Sequence, residues 1–159
     1  MLLKKVTYRY IEVEDRILMS AEFDGGSPVV FWLTLRLSVR LVKELASHLE
    51  RQVSQSALVD TGLLLSCQQR DAEWQHEPAA PVMSSSASLW VLPEKVGLAC
   101  STQHAALLFQ LGDGREAQLQ MSLQELRQWL AIMYRQFQYA GWPMAVWPAW
   151  FLNPVYGKN

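Results

Sequence analysis

Cysteine is scarce in this chain: Cys67 and Cys100 are its only two, and they form no CxxC pair. That excludes a disulfide framework and a thiolate-rich metal centre, and it points to a reducing compartment. Histidine is equally sparse. His48, His76 and His104 lie far apart, with no carboxylate or cysteine cluster at metal-ligand spacing, so no metal ion or cofactor is expected. Charge is low and balanced, 14 Lys and Arg against 15 Asp and Glu, for a formal net charge of −1. Neither a polybasic nucleic-acid footprint nor an acidic tail follows from that balance. No apolar run approaches the roughly 20 residues of a membrane helix. Lys4 and Lys5 are followed by Thr7, Arg9, Glu12 and Glu14 rather than by the apolar core of a signal peptide. The expectation is a soluble, cytoplasmic protein without a membrane partner.

Apolar residues are plentiful, at 50% of 159 positions, enough for one compact domain spanning 1–159. The clearest pattern runs from Ala106 to Gly141. Ala106, Leu107, Leu108, Phe109 and Leu111 form a short apolar run, which suits a strand covered on both faces. Gly112-Asp113-Gly114 follows as a hairpin turn. Ala117, Leu119 and Met121 then alternate with Glu116, Gln118 and Gln120, the period of a strand with one wet face. Ser122 and Glu125 have the spacing of a capping box. Leu123, Leu126, Leu130, Met133, Phe137 and Ala140 fall on one helical stripe, ended by Gly141 and Pro143.

A looser copy of this order starts at Ile17. Ile17, Met19, Ala21 and Phe23 alternate, Asp24-Gly25-Gly26 turns, Val29–Leu33 makes a strand, and Thr34 caps a helix striped by Leu41, Val42, Leu45, Ala46, Leu49 and Val53. With Val6–Val13 as a further strand, residues 1–76 form a three-stranded meander and a long helix, followed by a second helix from Asp60-Thr61 to Trp74. Residues 77–87, rich in proline and serine, read as an exposed linker. Residues 88–141 form the second half, with strands at Ser88–Leu92 and Val96–Thr102 before the hairpin, and residues 142–159 are a tail. The fold class expected is α+β: antiparallel sheet or sheets with two long helices, the halves related as a pseudo-repeat. In topology this layout resembles the repeated meander-plus-helix arrangement of the Whirly and PUR single-strand-binding families, although none of their motifs is present. That resemblance implies single-stranded nucleic-acid binding.

Catalytic chemistry finds little support. His104 follows Cys100 by four residues, but no third group stands by to orient a nucleophile pair. Gly112-Asp113-Gly114 lacks the Lys-Ser or Lys-Thr of a phosphate loop. No catalytic residue is assigned, and the balance is against an enzyme. On the first helix, Arg36, Arg40, Lys43 and Arg51 fall on one side as a basic ridge, diluted by Glu44 and Glu50. The tail is the least ordinary segment. Trp142, Trp147, Trp150, Phe151 and Tyr156 alternate with Pro143, Pro148 and Pro154, which favours an extended path. Rings of that size must be covered, either by their own chain or by another. With Ile132 and Tyr139, off the apolar stripe of the second long helix, they make a candidate interaction surface. The leading expectation is a non-enzymatic interaction or assembly module, homodimeric or bound to a protein partner. The alternatives are a single-stranded nucleic-acid binder, disfavoured by the near-neutral charge, and a small-molecule binder or enzyme with a tryptophan-lined pocket.

Overall fold

A computed structural model describes residues 1–53 and 60–152. The chain opens with β1 (Leu2–Ile11), a single 3-10 turn at Glu12–Glu14, β2 (Arg16–Phe23), β3 (Val29–Leu33) and α1 (Leu35–Val53). After α2 (Thr61–Trp74) come β4 (Leu89–Val91), β5 (Val96–Cys100), β6 (His104–Gln110), β7 (Glu116–Ser122), α3 (Leu123–Ala140) and α4 (Ala149–Leu152). Local chemistry sets the boundaries. Ser122 Oγ accepts from the Glu125 amide at 3.2 Å while the Glu125 carboxylate accepts from the Ser122 amide at 2.7 Å, the reciprocal box that starts α3. Gly141 ends α3 at φ 64°. Asp60 Oδ1 accepts from the Gly62 and Leu63 amides at 2.9 and 3.2 Å and starts α2. The break expected between α1 and α2 falls in 54–59, outside the described residues.

The strands form one seven-stranded sheet in the order β4-β3-β2-β1-β7-β6-β5. It is mixed, where an antiparallel sheet was expected. Leu2 and Leu3 of β1 run parallel to Gln118 and Leu119 of β7, and β3 runs parallel to β4. Connectivity permits both exceptions. A three-stranded meander begins and ends in the same direction, so when the two meanders run the same way the first strand of one lies parallel to the last of the other. Between β3 and β4 lie two helices, a connection long enough for a parallel return. Among the described residues the two long helices are accompanied by α2, the 14-residue helix expected up to Trp74, and by the 4-residue α4, which was not expected.

The sheet curls. Phe31 on β3 and Phe109 on β6 have three strands between them, yet their ring centroids are 4.7 Å apart. In a flat sheet, four steps of about 4.8 Å would separate them by about 19 Å. The concave face carries Ile17, Met19, Ala21, Leu33, Leu107 and Leu119, all buried, and α1 and α3 fill it with Leu45, Leu49, Leu130 and Met133. Pairing of β1 with β7 stops after Leu3, and α3 sits in the resulting split. The Tyr10 amide donates to Gln136 Oε1 at 2.7 Å, and the Trp129 indole donates to the buried Tyr8 hydroxyl at 2.8 Å. On the convex face, Leu18 and Ser20 are also buried, because Val82 crosses outside them and its amide donates to Thr7 Oγ1 at 2.9 Å. The linker is otherwise largely exposed.

The tail folds back on its own chain as far as Leu152. Trp142 and Trp147 are 5% and 4% exposed. Both set their edges against Phe137, and Trp147 also meets Tyr134 and Phe151. The path is not the extended one that the prolines suggested. A turn closes from the Trp147 amide to the Met144 carbonyl, and the Pro148 carbonyl accepts from Phe151 and Leu152 to start α4. Proline suits a first helical turn, where no amide is needed. Trp147→Ala should therefore lower stability by about 3–5 kcal/mol in urea unfolding, the range for a large core ring lost to a cavity. The half-buried Trp150→Ala should cost less.

Candidate functional site

The convex side of the sheet ends at β4, whose three residues Leu89, Trp90 and Val91 carry no charge. Alternation along β3 puts Val30 and Trp32 on this outer face and Phe31 on the core face. Register sets Trp90 opposite Val30. Trp90 lies against Trp32, with centroids 5.6 Å apart and planes inclined by 34°. Val30 beneath is wholly buried, while Leu89, Trp90 and Leu92 stay 43%, 48% and 53% exposed and Met83 stays 74% exposed. The far side of β4 pairs with no strand among the described residues. Edge strands usually carry lysine, a bulge or an inward charge that discourages another strand; in β4 the only such guard is Pro93, two residues past its end. The opposite edge, β5, presents the smaller Gly97, Ala99 and Cys100 and is preceded by Glu94 and Lys95.

The tail residues singled out from the sequence are brought together, but inside their own chain. Trp142 and Trp147 are buried, Trp150 and Phe151 are half-buried, and Tyr156 lies outside the described residues. Ile132 is half-buried against the core, and Tyr139 is 85% exposed. Arg36, Arg40, Lys43 and Arg51 are all exposed on α1. Arg36 and Arg40 share a shallow depression with Glu14, Asp15 and Arg16, so carboxylates stand beside the ridge at that end. His48 is buried in α1; burial first, and then the Arg51 charge, lower its pKa against a raising backbone hydrogen bond with Ser101. Burial pushes the Cys100 thiol up, which keeps it protonated and a poor nucleophile. Among the described residues no group of three or more His, Cys, Asp or Glu could hold a metal ion, and no helix is long and apolar enough to cross a membrane.

Sequence reasoning missed Trp32 and Trp90. The period of two in β3 separates Trp32 from Phe31, and that was the available signal. Nothing local linked it to Trp90, which arrives from 58 positions away. It also missed Asp15. This residue sits at φ 47° in the left-handed region, which aspartate and asparagine tolerate better than most. One of its oxygens accepts from the Trp142 indole and from the Tyr10 hydroxyl, each at 2.8 Å. No family model matches the chain, and no curated protein or solved structure matches it.

The Trp142 hydrogen bond, followed by that of Tyr10, holds the Asp15 carboxyl below the usual aspartate range. A carboxylate depressed by folding gives its full stabilisation above its unfolded value and loses it as pH falls through the folded one. Asp15→Asn keeps the backbone tolerance and removes the titration. Urea midpoints compared between about pH 3 and about pH 6 should fall less steeply towards acid in the variant than in the wild type. Equal slopes would remove Asp15 from the acid response.

Proposed function

We propose that this protein is a non-enzymatic assembly module that forms a homodimer by joining the β4 edges of two copies. The observation that carries this reading is the β4 edge, guarded only by Pro93 beyond its end, with its apolar surround: Leu89, Trp90, Leu92 and Met83 are exposed, and Trp90 lies against Trp32. A free strand edge offers backbone donors and acceptors in a ready row, and neighbouring apolar side chains supply the area. Two β4 strands related by a twofold axis make a self-complementary contact, the commonest form of oligomer. An uncharged strand meets itself without like-charge repulsion. Three residues a side fall short of the roughly 800 Å² per partner of a standard interface, so Trp32, Met83 and Leu92 belong to the contact. The free thiols Cys67 and Cys100 fit the cytoplasm as its compartment.

Two further readings belong with this proposal. The order β3-β2-β1 followed by β7-β6-β5 is that of two like meanders set head to tail, each leading into a long helix, which supports the halves as a structural repeat. Single-stranded nucleic-acid binding is the weaker function, because Glu14 and Asp15 stand beside Arg36 and Arg40 and oppose a phosphate track.

Light scattering on the full chain should give the mass of a dimer, and Trp90→Arg should give a monomer with unchanged circular dichroism. A monomeric wild type, or a dimer that survives Trp90→Arg, would overturn the reading. So would a dimer broken by Tyr139→Ser and not by Trp90→Arg, which would place the interface on α3.

A further inference from the structure

A second feature of the molecule, remote in function from β4, is a cleft between α2 and α3 that α4 closes on one side. Its volume is about 370 Å³, within the range of small-ligand sites. Gln69, Arg70 and Glu73 line it from α2, Tyr134 and Arg135 from α3, and Trp150 from α4. Its walls are fixed: Tyr134 packs on Trp147 and Phe151, and the Trp150 indole is tied to Glu50 Oε1 at 2.9 Å.

The polar groups of this cleft are not matched among themselves. Arg70 and Arg135 are exposed, and neither forms an ion pair with a described residue; Arg70 reaches only Cys67 Sγ, at 4.0 Å. The Glu73 carboxylate accepts from Gln69 Nε2 at 2.8 Å, and the same amide donates to the Arg127 carbonyl at 2.9 Å. Gln69 is 4% exposed, and its buried Oε1 accepts from no described group. Arg127 lies one turn before Ala131 of the cleft wall. It is 6% exposed, it donates through Nη2 to Gln68 Oε1, and its Nη1 has no partner. Burial lowers its pKa to about 10, so it stays a cation at neutral pH. Two guanidiniums, of Arg70 and Arg135, thus share the cleft with the single carboxylate of Glu73, beside the flat indole of Trp150.

We propose that this cleft binds a small planar anion, a carboxylate or phosphate ester on a flat body. Arg70 and Arg135 take the anionic group through charge-assisted hydrogen bonds. Trp150 covers the ring. This site is independent of the β4 interface, so the two readings stand or fall separately.

The test is calorimetric titration of the full chain with 4-hydroxybenzoate, phenyl phosphate and, as the cationic counterpart, 4-hydroxybenzylamine. The anions should bind saturably at one site, in the millimolar range or tighter, and the amine should not. Arg70→Gln and Arg135→Gln, both surface changes that leave the fold intact by circular dichroism, should each weaken the anions at least tenfold. Arg135→Glu should reverse the preference towards the amine. Binding of 4-hydroxybenzoate but not phenyl phosphate identifies a carboxylate site, and the reverse a phosphate site; either supports the proposal. Failure of both anions to saturate, equal binding of the amine, or indifference to both glutamine variants would overturn it.

Discussion

Trp129 and Tyr8 meet edge to face at 6.2 Å, and one donates its indole N–H to the other's buried hydroxyl. Around that contact α3 takes its seat in the split between β1 and β7, and most of the architecture depends on that seat. The helix replaces the missing strand partner of β1 at Tyr10 through Gln136. One side of it carries the packing against α2, through Gln69 and Arg127. Its C-terminal turn supplies Phe137, on which both buried tail tryptophans rest. Burial pushes the Tyr8 hydroxyl up, so the phenol stays protonated and uncharged over the working pH range. A charged group there would cost far more than the hydrogen bond returns.

Two sets of tryptophans have opposite fates in this molecule. Those of the tail are consumed by the fold: Trp142 and Trp147 are interior residues, with Asp15 anchoring the first and the ring cluster of Tyr134, Phe137 and Phe151 holding the second. Those of the outer face, Trp32 and Trp90, cover Val30 and are still about half in water in the case of Trp90. Apolar area of the first kind is explained by stability. Area of the second kind, at a strand edge, is what assembly surfaces are made of.

Much of the framework was legible in the sequence because it is local. The Ser122–Glu125 box, the Asp-Gly turns, the Asp60 cap and the alternation of Ala117, Leu119 and Met121 each encode their structure within a few residues. What stayed hidden depends on contacts between distant segments. The parallel β1–β7 junction, the curl that joins Phe31 to Phe109 and the meeting of Trp32 with Trp90 have no signature in any one window. The cleft is of the same kind, since Arg70 and Arg135 look like ordinary solvated helix residues until α2 and α3 are packed. Asp15 belongs to a local turn, but its bond to Trp142 crosses 127 positions.

The parallel junction of β1 and β7 has a temporal consequence. β1 leaves the ribosome well before Trp129, which closes on its Tyr8 and follows 121 residues later. Until the second meander and α3 are synthesised, one side of β1 has neither strand nor helix to pair with. Closure over so long a loop makes for slow acquisition of the native state. During that wait an open strand is vulnerable to mispairing, so the nascent chain should lean on molecular chaperones more than a locally wired fold of the same size.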